Sequence, residues 1–230
     1  MEHPSATVDD YLQAIFSLEG EGETVISARL ARRMRVTPPT AWATVRRMER
    51  DGFVQLDERK VVHLTEKGRA QAEDIVRRHR LAERFLCDVM GLGWAEAHSE
   101  AHIFEHAITP RLEAKIFALA GNPTHCPHGS PIPGTGGKLD DDLVTLGSLK
   151  VGDQATVQFI SEELEEDMDL LRYLERGKMM PGGAIRVVEL APSTGIIVVE
   201  RDGANVPLGL AVAAKIRVRR RRDAKASSSV

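Results

Sequence analysis

The chain has 230 residues, 42% of them hydrophobic and 28% charged, enough for one large domain or two to three small ones, each with a buried core. No apolar run approaches the ~20 residues of a bilayer span, the acidic start MEHPSATVDD lacks the basic and apolar parts of a secretion signal, and the two cysteines, Cys87 and Cys126, cannot build a disulfide framework. A membrane protein is thereby excluded and a cytoplasmic location expected. The net charge of -3, from 31 basic and 34 acidic residues, excludes a wholesale polycation, so any anion binding must come from local patches.

In chain order, Tyr11, Leu12, Ile15 and Leu18 have helical spacing and open a mainly α region. Residues 26–34, ISARLARRM, form a short amphipathic helix, and RVTPPT supplies a turn in which Thr37 can N-cap a second helix with Pro38 at its first position. That helix runs to Gly52, which suits a left-handed C-cap. The stretch FVQLDERKVVHLT then places two β-prone runs around a polar turn at residues 57–60. Helix, turn, helix and hairpin predict a winged helix-turn-helix over residues 1–72. Residues 29–50 carry seven arginines against the single acid Glu49. Thr37, Pro39, Thr40 and Thr44 offer hydroxyls and small apolar surface to base edges, while Arg29, Arg46, Arg47, Arg50 and the wing's Arg59 suit phosphates.

Residues 73–137 continue as helices and end in the Gly- and Pro-rich stretch 121–137, read as a linker. His79 and Glu83, at i and i+4, share a helix face. On the next helix, taking His98 as zero, His102 falls near about +40°, Glu105 near about -20° and His106 near about +80°, one stripe roughly 100° wide. Imidazole and carboxylate together suit a divalent first-row metal. His102-x-x-Glu105-His106 also spells the inverted zinc-peptidase pattern, which makes a small zinc hydrolase the rival reading. Residues 138–219 hold the β-rich runs QATVQFI, AIRVVEL, GIIVVER and AAKIRVR with one acidic helix-like insert, a small β-barrel-like module, and 220–230 reads as a disordered tail. Thr7-x-x-Asp10 approximates a capping box opening the first helix. His125, Cys126 and His128 read as loop, and Pro127, Pro131 and Pro133 as an extended segment able to dock on the β module.

With these features in place, MERDGFV at 48–54, RRHRLAERFL at 77–86, EH at 105–106 and HGSPIPG at 128–134 make the chain similar to the diphtheria toxin repressor family of metal-dependent transcriptional regulators, nearly end to end. The resemblance implies a winged-helix DNA reader, a helical metal-binding and dimerisation domain, and an SH3-like C-terminal domain. It implies a primary metal site of Asp10, His102, Glu105 and His106, and an ancillary site of His79, Glu83, His98, Glu166 and Asp169, hence two ions per chain. The methionine and cysteine ligands of iron-responsive members are replaced by Asp10 and His102, and a further position of the manganese branch holds Gln13 instead of Glu. The family's base-reading glutamine is here Ala43, beside Trp42. The DNA-binding set is therefore Thr7, Arg29, Thr37, Pro39, Thr40, Ala43, Thr44, Arg47, Arg50 and Arg59. The resulting expectation is a homodimeric regulator of metal-homeostasis genes, not an enzyme, that responds to Mn²⁺ with Fe²⁺ as the alternative and binds a palindromic double-stranded operator.

Overall fold

The computed structural model describes residues 6–221, so the expected tail lies, from residue 222 on, outside the described residues. The fold is mainly helical with a C-terminal β domain, as expected. The described residues form two compact units: one holds those up to Gly91 with Ser99–Thr124 and Ile132–Gly137, the other Leu92–His98, His125–Pro131 and those from Lys138 on. The expected linker is thus shared between both units. Among the described residues no helix is long and apolar enough to cross a membrane.

The first unit contains α1 (Ala6–Gly20), α2 (Ser27–Arg33), α3 (Pro38–Arg50), the hairpin β1 (Val54–Leu56) and β2 (Val62–Leu64), α4 (Glu66–Asp88), part of α5 (Trp94–Phe104) and α6 (Pro110–Leu119). Its local signals are obeyed at α3. The Thr37 hydroxyl accepts from the Thr40 N–H at 3.4 Å, Pro38 opens the helix, and Gly52 follows the last turn at φ 77°. Thr7, in contrast, lies inside α1 rather than capping it. Tyr11, Leu12, Ile15 and Leu18 of α1 share one core with Leu30 of α2, with Ala41, Val45 and Met48 of α3, and with Val54, Val62 and Leu64 of the wing.

The start of α4 is pinned to the end of this reader. The Thr65 hydroxyl caps the Gly68 N–H at 3.0 Å and itself donates to the Gly52 carbonyl at 2.7 Å. Gly68 is needed there because a Cβ would stand 1.8 Å from the Phe53 carbonyl oxygen.

The second unit is built on an antiparallel sheet in the order β3-β8-β4-β5-β6-β7. Its elements are β3 (Val144–Thr145), β4 (Gln154–Ile160), α7 (Glu162–Glu165), α8 (Met168–Arg176), β5 (Ala184–Ala191), β6 (Ile196–Arg201), β7 (Ala204–Gly209), α9 (Leu210–Ala213) and β8 (Ile216–Arg220). The alternation that predicted four strands buries Ala155, Val157, Ile185, Val187, Ile197, Val199, Ile216 and Val218. β7 was not expected, because Pro207 interrupts it; it is an edge strand, where a missing N–H is tolerated. Residues 125–131 lie against β4: the Ile160 N–H donates to the His128 carbonyl at 2.9 Å, and a Cβ on Gly129, at φ 94°, would meet the Gln158 oxygen at 2.1 Å.

The Gly68 contact yields a direct test. Gly68→Ala should destabilise the protein by roughly 1–3 kcal/mol through overpacking against backbone, read as a lowered midpoint in urea unfolding. Gly20→Ala, where a Cβ meets nothing within 4 Å, serves as the matched control and should not lower it.

Candidate metal centre and nucleic-acid interface

α1 delivers Asp10 to a group of donors at the end of α5. Asp10, Glu105 and His106 each offer one ligand atom, and these atoms lie within 4.8 Å of one another. The local cause is a tightening of the chain: α5 stops at Phe104, and residues 105–107 form a 3₁₀ turn. Thr109 then caps α6, whose first residue is Pro110, and a residue before proline avoids the α conformation. A 3₁₀ turn advances each residue by about 120° instead of 100°, so the single stripe predicted for His98 to His106 is broken. His102, expected in the primary set, packs its ring against His79 with centroids 4.7 Å apart.

Glu105 is fully buried, with its Oε2 at 2.5 Å from His79 Nδ1. Its Oε1 has no hydrogen-bond partner and faces His106 Nε2 at 3.6 Å. A buried carboxylate oxygen left in that state is costly. Together with Asp10 and the His106 imidazole, it makes a hard oxygen and nitrogen donor set that fits a divalent cation.

Asp9, which sequence spacing did not single out, supports this group. Its Oδ2 lies 3.9 Å from His106 Nδ1, and Gln71 of α4 donates to its Oδ1 at 3.2 Å. A carboxylate on the far nitrogen of a ligating histidine orients the ring. Burial raises the Asp9 pKa, against the opposing effects of Gln71 and His106. A cavity of about 860 Å³ opens beside Asp9 and His106, with Arg78 and Glu113 in its wall.

His79 is held between carboxylates on both ring nitrogens, Glu105 at 2.5 Å from Nδ1 and Glu83 at 3.2 Å from Nε2. Burial opposes its charged form. The Glu83 and Glu105 carboxylates outweigh that effect and hold its pKa well above the ordinary value.

Of the five residues expected at the ancillary site, His79 and Glu83 belong to the first unit and His98, Glu166 and Asp169 to the second. In the second unit the carboxylate set against two buried imidazoles is Glu165, its oxygens 3.6 Å from His98 Nδ1 and 3.3 Å from His128 Nδ1. Cys126 Sγ lies 4.0 Å from the same His128 nitrogen, and the Trp94 ring packs edge-on at 4.6 Å. The acidic insert is two helices, not one: α7 ends at Glu165, Glu166 is its C-cap, and Asp167 caps α8 through the Asp169 and Leu170 N–H groups. Glu166 and Asp169 therefore do not share a helix face. The Asp169 side chain is 95% exposed and paired with Arg172 at 3.0 Å. Cys126 and His128 lie in a loop, as read from sequence, but are buried in it, and His125 holds the loop through the Lys138 carbonyl at 3.1 Å. Their burial could not be inferred from a Gly- and Pro-rich stretch.

On the opposite side of the α1 core, α3 exposes Pro39, Thr40, Ala43, Arg47 and Arg50. Thr37 and Thr40 hydroxyls lie 2.8 Å apart, and the Thr44 hydroxyl donates back to the Thr40 carbonyl at 3.1 Å. Arg29 of α2 is engaged by the Thr24 carbonyl and Glu23, both at 2.7 Å. Arg59 is exposed in the wing turn and Thr7 is exposed on α1.

Three family models match the chain: "iron dependent repressor, N-terminal DNA binding domain" over residues 3–62, "iron dependent repressor, metal binding and dimerisation domain" over 65–134, and "FeoA domain" over 144–220. The chain is 38% identical over 222 residues to the iron-dependent repressor IdeR of Mycobacterium tuberculosis, covering 92% of this chain and 96% of that protein. It is 33% identical over 211 residues to the diphtheria toxin repressor of Corynebacterium diphtheriae, covering 88% and 92%. Among solved structures, a manganese-dependent transcriptional repressor in complex with manganese superimposes with a TM-score of 0.80 at 36% identity, covering 93% of this chain and all of that one. The manganese regulator SloR does so at 0.75 and 26%, covering 96% and all of that chain. These likenesses exclude the zinc-hydrolase reading of residues 102–106. The chain belongs to the diphtheria toxin repressor and IdeR family of metal-dependent, DNA-binding transcriptional repressors.

Proposed function

We propose that this protein is a homodimeric, cytoplasmic, Fe²⁺-responsive repressor of metal-homeostasis genes that binds a palindromic operator, with Asp10, Glu105 and His106 as its regulatory metal ligands. The observation that carries this reading is the convergence of those three side chains around the orphaned oxygen of buried Glu105. Iron is favoured because the IdeR relatives, matched over 92% of the chain, are named iron-dependent, and because an oxygen and nitrogen site binds Fe²⁺ more tightly than Mn²⁺ at equal concentration. The manganese reading is second. It is favoured by the absence of sulfur at Asp10 and His102 and by the likeness to a repressor solved with manganese.

A bound divalent ion supplies the positive charge that lets Asp10 and Glu105 stand together. Asp10 is carried by α1, and α1 shares its core with the buried face of α3. Fixing Asp10 against the turn after α5 therefore restricts the helix on which α3 rests, biasing the reader toward one arrangement. A dimer so restrained presents two recognition helices at the spacing of successive major grooves. Taking each unit by itself, we assign His79 and Glu83 in the first, and His98, Cys126, His128 and Glu165 in the second, as donors available for further metal binding.

Three outcomes test this. Asp10→Ala and Glu105→Gln should each raise the metal concentration for half-maximal operator binding by at least ~10-fold, measured by fluorescence anisotropy, since even loss of an outer-shell group costs about 10–100-fold. Under anaerobic, metal-buffered conditions, half-maximal operator binding should need less free Fe²⁺ than free Mn²⁺; the reverse order would transfer the assignment to manganese. The third outcome concerns pH. His79 has a raised folded pKa, so in metal-free protein its stabilising effect is complete below the unfolded value of about 6.5 and is lost as pH rises through the folded value. Because a ligating histidine must be neutral, metal affinity should rise with pH across that same window, with proton release seen as a buffer-dependent heat in calorimetry.

A further inference from the structure

Trp42 lies near the start of α3, 36% exposed, among the small and hydroxyl residues that face solvent there. A single exposed aromatic is unremarkable; its neighbours make this one informative. Two cations approach its ring from different elements. The Arg46 guanidinium carbon, one helical turn on, is 5.8 Å from the ring centroid, and the Lys60 ammonium nitrogen of the wing is also at 5.8 Å. Both are within the range of cation–π attraction. Glu49, one helical turn on, also pairs with Arg46.

The wing is shaped to deliver Lys60. Asp57 Oδ1 accepts from the Arg59 and Val61 N–H groups at 2.9 and 2.8 Å, and the Lys60 N–H closes the turn on the Asp57 carbonyl at 2.9 Å. Lys60 itself sits at φ 60°, a left-handed conformation that glycine adopts without strain and lysine does not. The turn therefore keeps a strained lysine where glycine would be easier. Two like charges drawn to one ring also repel each other, and an anion placed against both removes that cost.

We propose that Trp42 is a positioning residue for DNA backbone binding: its ring holds Arg46 of the recognition helix and Lys60 of the wing as one paired phosphate-binding unit. Helix and wing then grip the same stretch of sugar–phosphate chain at a fixed separation. The proposal rests on α3 being the DNA-reading helix. It assigns Trp42 an effect on affinity common to all sequences, distinct from base reading by its neighbours Thr40 and Ala43.

The test uses the full-length, metal-loaded protein with operator and scrambled duplexes over a salt series. Arg46→Ala and Lys60→Gly should each weaken binding to both duplexes and reduce the slope of log affinity against log salt by about one. Trp42→Ala should weaken both duplexes equally, by roughly three- to tenfold, with unchanged thermal unfolding, and Trp42→Phe should restore most of the loss. In the Trp42→Ala background the effects of Arg46→Ala and Lys60→Gly should become additive, whereas with Trp42 present they should be coupled. The proposal is overturned if Trp42→Ala changes preference at one base pair while leaving the salt slope intact, if it has no effect, or if Trp42→Phe fails to rescue. Arg47→Ala is the control: if it weakens binding while Trp42→Ala does not, only the role of Trp42 falls, and if neither matters, α3 is not the DNA-reading helix.

Discussion

A carboxylate with no exposed surface must find positive charge or donors within the protein, and Glu105 is that carboxylate. One oxygen is satisfied by His79, which is itself held by Glu83. The other looks toward His106 and the Asp10 group without a hydrogen bond. Removing one member of such a buried ionic set costs about 3–5 kcal/mol in typical proteins, because the remaining charge is stranded. The set therefore constrains α4, the turn after α5 and α1 together.

That constraint matters because of where α1 lies. Asp9 and Asp10 face the donor cluster, while Tyr11, Leu12 and Ile15 of the same helix lie in the core of the DNA reader. One helix thus has an electrostatic boundary condition on one face and a packing condition on the other. Close-packed interiors transmit small displacements rather than absorb them, and under the proposed function this shared core is what would link charge at Asp10 to the pose of α3. Asp9 and Gln71 add a restraint on the His106 ring, tying it to α4.

The second unit solves a related problem differently. His98, His128 and Glu165 are buried beside Trp94, and the loop carrying His128 is held on β4 by a backbone bond and by the close approach of Gly129. The proline-rich stretch there is an ordered support for buried donors. Asp167 interrupts the acidic insert by capping α8, which turns Glu165 inward and leaves Asp169 in solvent.

The amino-acid sequence by itself determined whatever depends on neighbours along the chain. The Thr37–Pro38 start and Gly52 end of α3, the wing turn at 57–60, four of the β strands and the histidine-rich helices follow from capping, φ preference and periodicity, which act over a few residues. The family motifs at 48–54, 77–86 and 128–134 extended that reading to three domains and to the expectation of a metal site at Asp10, His102, Glu105 and His106. Tertiary structure alone decided the rest. β7 exists because β6 supplies its partner, despite Pro207. His102 packs its ring on His79 while the chain after it tightens into a 3₁₀ turn ahead of Pro110, and Glu165, the last residue of α7, is set against His98 and His128 just before the break between two helices. Cys126 and His128 become buried donors, and Trp42 meets Lys60, only through contacts between segments distant in sequence. Residue type and spacing set which side chains could bind a metal or a phosphate; direction and burial, which settle which ones converge, depend on packing that no local signal encodes.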